Sequence, residues 1–348
     1  MDDPAVSPGR QRAEGPASRP DPGLERLEAG LLVLRPPMPG PLGWTNSYLA
    51  QAGDGRWSVL DPGFDWPPAR RLWEEAARAL GWTAGVLERV VVTHFHPDHL
   101  GLAGWLVERW GGRVLAHARE LPLIRQASTT SSSRLAGASR RLRRHLVENG
   151  IPEEAVDGLM AANAFLAKPS HPISHLEPLH DGAAFRFGPH PAVALWTPGH
   201  TAGHLVVHLP EPGFLLSGDH VLGGITPNIS LWPSGSVEPL EEYLGSLERL
   251  ERLRVRRVLP AHRSSLEDLA GRLRELQAHH RRRLELCRRL VEGRPATAYE
   301  LLPQLFSPDL AEEQQLFALG ETLAHLRWLQ RHGRVRLLPG SPARYVAR

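Results

Sequence analysis

Four side chains able to bind a metal fall within six residues in Thr93-His94-Phe95-His96-Pro97-Asp98-His99-Leu100-Gly101. The stretch follows Val90-Val91-Val92, an apolar run that reads as a buried strand. In an extended loop, residues two apart face the same way, so His94 and His96 can grip one ion together. Pro97 then turns the chain. Asp98 and His99, at the start of the next helix, point to a neighbouring position. Imidazole and carboxylate donors together suit a borderline ion such as zinc. The alternative is a histidine-rich turn capped by Asp98.

Three distant segments share one layout. Val193 to Leu195 runs into Thr197-Pro198-Gly199-His200, Phe214 to Leu216 into Ser217-Gly218-Asp219-His220, and Arg257 to Leu259 into Pro260-Ala261-His262. Each places a His or Asp just past a strand, beside a small residue or Pro that lets the backbone bend. Loops at one edge of a rigid sheet are where sites are built. His117, His204 and His208 lie in or beside strands and read as packed or exposed rather than liganded. His220 follows Asp219 and is a candidate substrate contact. Gly224 to Trp232 reads as a loop over the site, with Asn228 and Trp232 as further substrate contacts; a folded turn with a buried Trp competes with that reading.

The elements that must position these groups are short. Strands are expected at Leu31 to Leu34, Asn46 to Ala50, Trp57 to Leu60 and Arg113 to Ala116, each bounded by Gly or Pro. Helices are expected at Pro67 to Leu80, His99 to Trp110 and Pro239 to Leu253. Ala118 to Ala167 is irregular and helical, with a Ser/Thr run and the basic stretch Arg140 to Arg144, and reads as an inserted lid. After His262 the character changes. A long charged helix, Leu266 to Val291, precedes helices at Thr297 to Phe306 and Asp309 to His332. Two short strands, Val335 to Leu338 and Arg344 to Ala347, follow, an order that suggests a winged helix.

The pattern His94-x-His96-x-Asp98-His99, with His200, Asp219 and His262, resembles the metallo-β-lactamase fold superfamily. Leu60-Asp61-Pro62-Gly63 and the phrases Thr197 to His200 and Ser217 to Asp219 resemble it too. The resemblance covers about residues 30 to 265. It implies an α+β fold, a four-layer αββα sandwich, and two metal sites. His94, His96 and His200 would bind one ion, and Asp98, His99 and His262 the other. Asp219 would bridge them with a water or hydroxide, and Asp98 could shuttle a proton to the leaving group. Asp61 would lie outside the ligands and orient a ligand histidine, or serve only the turn. The last quarter resembles the winged-helix extension of the branch that includes the β-lactamase-like-protein-2 type. That branch is associated with single-stranded RNA cleavage or thioester hydrolysis.

The expected organisation is a disordered tail over 1–24, a catalytic domain over 25–265 with the lid at about 118–167, and a winged-helix-like domain over 266–348. The last of these carries a net charge of +4, against +3 for the whole chain. This is either an electrostatic footprint for nucleic acid or an Arg/Glu-laced solvated helix. One cysteine, Cys287, excludes an internal disulfide framework and fits a reducing compartment. No membrane span is visible, and Asp2 and Asp3 with no apolar stretch do not read as a secretory signal, so a cytoplasmic location is expected. The leading expectation is a hydrolase using two divalent ions, most simply Zn²⁺, on a small ester, thioester or lactone. A metal-dependent endoribonuclease acting on single-stranded RNA, and a nucleic-acid-binding protein with a vestigial metal domain, are the alternatives.

Overall fold

In the computed structural model, which describes residues 23–128, 132–164, 170–307 and 309–348, alternation along the strands sorts side chains between two faces. A seven-stranded sheet takes the order β1 (Glu25–Arg26), β2 (Leu32–Leu34), β3 (Ser47–Gln51), β4 (Trp57–Leu60), β5 (Leu87–Val91), β6 (Arg113–His117) and β7 (Leu176–Leu179). A five-stranded sheet takes the order β12 (Arg257–Pro260), β11 (Phe214–Gly218), β10 (Leu205–Leu209), β9 (His190–Trp196) and β8 (Ala184–Phe187). Leu31, Val33, Tyr48 and Leu60 of the first sheet meet Leu205, Val207, Leu216 and Leu259 of the second in a shared core. The intervening residues face outward. Leu32, Leu34, Val59 and Val90 pack beneath α1 (Pro67–Ala79), α2 (Pro97–Leu100) and α3 (Ala103–Trp110). Val206, Leu215 and Val258 pack beneath α7 (Pro239–Leu250) and α8 (Leu269–Leu290). The period of two thus produces four layers, helix on sheet on sheet on helix, as expected.

The helix expected over His99 to Trp110 is broken into α2 and α3. At Gly101 a Cβ would stand 2.4 Å from the Pro97 carbonyl oxygen and 2.6 Å from the Asp65 nitrogen. The next residue, Leu102, donates its N–H to the Gly63 carbonyl at 3.0 Å. The break therefore seats the ligand-rich turn against the Asp61-Pro62-Gly63 turn, and only glycine allows that approach. Strands β7 and β8 escaped the sequence reading: Leu-Glu-Pro-Leu is interrupted by a Glu and a Pro, whereas Ala-Phe-Arg-Phe is apolar at three of its four positions and was overlooked.

The insertion folds as α4 (Leu121–Ala127), α5 (Ser132–Glu148) and α6 (Glu153–Ala162). Residues 129–131 and 165–167 of it, and all of the expected tail but residues 23 and 24, lie outside the described residues. Its Leu146, Ile151, Val156 and Leu159 enter one core with the C-terminal helices α8, α9 (Ala298–Leu305) and α10 (Glu312–Arg331). The hairpin β13 (Val335–Leu338) and β14 (Arg344–Ala347) closes that unit. Thr297 caps α9 and Glu300 reaches back to the Thr297 N–H, a reciprocal capping box. Among the described residues no helix is long and apolar enough to cross a membrane.

Inside this unit His325 donates its Nδ1–H to the Glu321 carbonyl at 2.7 Å, so its Nε2 must accept from His280 Nδ1, 3.1 Å away. Both rings are buried. Burial holds His325 down to about 3, and holds His280 well below its ordinary value. Their folded values lie below the unfolded one, so between pH 6.5 and about 3 the unfolded chain binds protons that the folded chain refuses. Stability is present above pH 6.5 and falls as pH drops, by up to about 1.4 kcal/mol per pH unit for each such histidine. His325→Leu is expected to flatten that slope when urea unfolding is followed from pH 7 to 4 in chelator. An unchanged slope would reject the assignment.

Candidate metal centre

Parallel pairing gathers the ligands at one edge. Strand β4 runs parallel to β5, and β11 to β12, so the carboxyl ends of each pair share an edge. Strand β9 is antiparallel to β10, which is antiparallel to β11, so β9 ends on the same side. Asp61 follows β4, the 94–99 stretch follows β5, His200 follows β9, Asp219 follows β11 and His262 follows β12. Asn46 ties the two sheets at this edge, donating Nδ2 to the Pro260 and Arg263 carbonyls at 3.0 and 2.9 Å.

All seven expected ligands converge. His94 Nε2, His96 Nδ1 and His200 Nε2 form a triangle with sides of 2.9, 3.1 and 3.2 Å. Three nitrogens bound tetrahedrally at about 2.0–2.1 Å would stand about 3.3 Å apart, so the triangle fits one ion. The ligand atoms of Asp98, His99 and His262 form a second group within 4.8 Å. Asp219 lies between: Oδ2 is 3.6 Å from His200 Nε2 and 3.5 Å from His99 Nε2, while Oδ1 is 3.5 Å from His262 Nε2.

The outer contacts decide which nitrogen each ring presents. His99 Nδ1 donates to Asp61 Oδ2 at 2.9 Å, His200 Nδ1 to the Asn228 carbonyl at 2.8 Å and His262 Nδ1 to the Trp44 carbonyl at 3.0 Å. His94 Nδ1 lies 3.0 Å from the Thr93 hydroxyl, which itself donates to Asp61 Oδ2 at 2.7 Å. In the neutral form of each of these four rings, Nε2 therefore turns inward as a bare lone pair. His99 Nε2, His262 Nε2 and Asp219 Oδ1 are buried with no hydrogen-bond partner among the described residues. Lone pairs aimed at carboxylate oxygens in a buried site require positive charge between them.

The electrostatics agree. Burial and the neighbouring rings hold His94 well below its ordinary value, and burial and His200 hold His96 down to about 3. Burial also lowers His200. In the second group burial opposes ionisation, but opposite charges win. His99 and His262 pull Asp98 and Asp219 down, and the two carboxylates raise His99 and His262. The first cluster thus offers neutral nitrogens, and the second demands cations, which either protons or a metal can supply.

Three expected substrate contacts sit differently. His220 is fully buried, its ring 4.8 Å from that of Tyr243 and 5.5 Å from that of His204. A substrate cannot reach it without displacing that packing. Asn228 meets the site through its backbone carbonyl, while its side-chain amide turns to the Phe317 carbonyl on α10 at 3.2 Å. Trp232 packs against the C-terminal core, 6.1 Å from the His145 ring. His204 is packed as expected and accepts the Asp219 N–H at 3.2 Å. His117 stacks on Trp196 at 5.4 Å.

Glu120, at the start of α4, was missed. It is wholly buried and accepts from Phe95 N, Thr201 Oγ1 and Gly203 N at 2.9, 2.8 and 2.7 Å. It clips the first ligand loop to the His200 loop. A Glu three residues beyond a strand-end His is too common to stand out in sequence.

The comparisons agree with this geometry. The profile described as "Metallo-beta-lactamase superfamily" matches residues 40–262, and that described as "Metallo-beta-lactamase-like, C-terminal domain" matches residues 284–347. The probable metallo-hydrolase YqjP of Bacillus subtilis is 28% identical over 307 residues, 86% of this chain and 92% of that protein. The beta-lactamase-like protein 2 homolog of Caenorhabditis elegans is 25% identical, over 82% of this chain and 79% of that one. A crystal structure of a metallo-beta-lactamase family protein from Thermus thermophilus superposes with a TM-score of 0.79 at 35% identity, over 92% of this chain and 99% of that one. A beta-lactamase domain protein from Burkholderia ambifaria gives 0.82 at 30% identity, over 95% and 96%. The chain belongs to the metallo-beta-lactamase superfamily and is a metal-dependent hydrolase.

Proposed function

We propose that this hydrolase holds two zinc ions and cleaves the acyl bond of a small ester, thioester or lactone. The observation that carries the reading is the set of buried, unpartnered acceptors at His99, His262 and Asp219 beside a three-nitrogen triangle. His94, His96 and His200 would hold one ion, Asp98, His99 and His262 the other, with Asp219 between them. When bound, the ions supply an acidified water and positive charge for a developing oxyanion. The chain's residues do the rest. Asp98, whose side chain keeps 15% of its surface exposed, stands at the mouth and is placed to carry a proton to the leaving group. Thr45 Oγ1 donates to the Asp98 carbonyl at 2.9 Å and steadies that turn. Asp61 keeps His99 in the tautomer that presents Nε2. No thiol competes as nucleophile, since burial pushes Cys287 up to about 12. A single buried cysteine also supports a cytoplasmic setting.

Single-stranded RNA is the second reading. Arg140, Arg141, Arg144, Arg281 and Arg282 are exposed and form no ion pair among the described residues. Much of the remaining basic character is spent within the fold: Arg288 pairs with Glu285 and Glu292, and Arg283 lies over the Phe306 ring. We therefore read the C-terminal unit as a winged-helix module that packs rather than binds nucleic acid. A vestigial metal domain would not keep a complete ligand set.

The test is a panel of ester, thioester, lactone, phosphodiester and single-stranded RNA substrates with and without chelator. We expect acyl substrates to be cleaved, activity to vanish with chelator and return with Zn²⁺, and little salt dependence. RNA cleavage with affinity falling steeply in salt would overturn the small-molecule reading.

A further inference from the structure

The loop that runs from Leu222 to Trp232 carries the carbonyl that orients His200, and the C-terminal unit fastens it at both ends. From α8, Arg272 donates Nε to the Leu222 carbonyl at 2.8 Å and a terminal N–H to the Ile225 carbonyl. On α10, the Phe317 carbonyl accepts from Asn228 Nδ2 at 3.2 Å, and the Glu321 carboxylate lies 3.5 Å from the same nitrogen. One residue earlier, the Gly320 carbonyl accepts the Leu231 N–H at 3.0 Å. Gly320 has to be glycine there, because a Cβ would stand 2.6 Å from Ser230 Oγ. Glu321 is 6% exposed, with His279 Nε2 at 3.9 Å and an Arg283 nitrogen at 4.0 Å. A buried carboxylate is costly to desolvate, and an apolar side chain would pack the helix at least as well. The charge is therefore better explained by what it holds than by packing.

We propose that Glu321, 93 residues beyond Asn228, is a positioning residue for His200. By fixing the Asn228 side chain, it fixes the carbonyl that sets the His200 ring, and so tunes the three-histidine cluster from the C-terminal unit. The second cluster is independent of it. His99 and His262 are oriented by Asp61 and by the Trp44 carbonyl, both in the first half of the catalytic domain. The inference rests on the metal-centre reading above.

The full chain, loaded with Zn²⁺, is titrated with a competing chelator to resolve two affinities. Glu321→Ala is expected to weaken one ion by about 10- to 100-fold and leave the other unchanged. Asn228→Ala, which keeps the carbonyl but loses its tether, is expected to do the same. Glu321→Gln retains an acceptor oxygen for Asn228 and is expected to bind both ions nearly as the parent does, even if its unfolding midpoint drops. Unchanged affinities in Glu321→Ala and Asn228→Ala, with only lowered midpoints, would overturn the positioning role while leaving the metal centre intact. Failure of the parent chain to take up metal would overturn the metal-centre reading and this inference with it.

Discussion

Replacing Asp219 by Ala is expected to abolish turnover and strip metal from the protein in one step. Among the described residues it is the one side chain whose carboxylate lies within 3.6 Å of rings in both clusters: His200 in the first, His99 and His262 in the second. Losing an outer-shell partner typically costs about 10–100-fold in metal affinity. In the proposed centre Asp219 would serve both ions, so about 10³-fold or more in kcat/KM is expected, with metal content falling in parallel. The fold should survive, because the Asp219 backbone, which holds His204, is unchanged. Circular dichroism, metal analysis and kinetics on one preparation make the check. Full activity in a metal-replete variant would reject the bridging role.

Asp61 should rank next, although it is not among the seven proposed ligands. It is wholly buried and accepts three hydrogen bonds, from Thr93 N at 2.8 Å, Thr93 Oγ1 at 2.7 Å and His99 Nδ1 at 2.9 Å. It does so from a left-handed backbone conformation with φ of +48°, which Asp and Asn tolerate better than most residues. Asp61→Ala leaves two buried N–H groups without partners, at about 1–3 kcal/mol each. It also frees the His99 ring, so the second ion should bind about 10–100-fold more weakly. Asp61→Asn separates the two effects. Its oxygen can still accept from Thr93 N, and the backbone strain is unchanged. Its NH₂ would face His99 Nδ1 and drive the ring proton to Nε2, pointing at Asp219. Asparagine should therefore keep more stability than alanine yet bind metal no better. A normal second-ion affinity in Asp61→Asn would reject the tautomer argument.

Legibility in the sequence followed a simple physical line. His94, His96, Asp98 and His99 were readable because they are contiguous, and extended geometry alone puts alternate residues on one side. His200, Asp219 and His262 were readable because each ends an apolar strand in a bend. The four-layer sandwich followed from the same alternation once the family resemblance supplied its topology. Strand β7 was hidden by its Glu and Pro, and the break at Gly101 by the helical spacing on either side of it.

The surroundings of the expected substrate contacts were not legible, since exposure is a property of packing between distant segments. His220 looks available beside Asp219, yet Tyr243 and His204 enclose it. Asn228 reads as a polar loop residue, but α10 captures its amide. Glu120 drew no reading in the sequence, yet the loops that carry His94 and His200 converge on it.

Sequence by itself determined which groups could hold a metal, because strand alternation and strand-end bends are local and need only the nearest neighbours. Tertiary structure alone decided which ring nitrogen each histidine presents, and which residues hold it there. Those choices belong to Asp61, Thr93 and the carbonyls of Trp44 and Asn228, three of them separated by 28 to 218 residues from the rings they orient. A hydrogen bond acts over about 3 Å, and only the folded chain brings such partners that close.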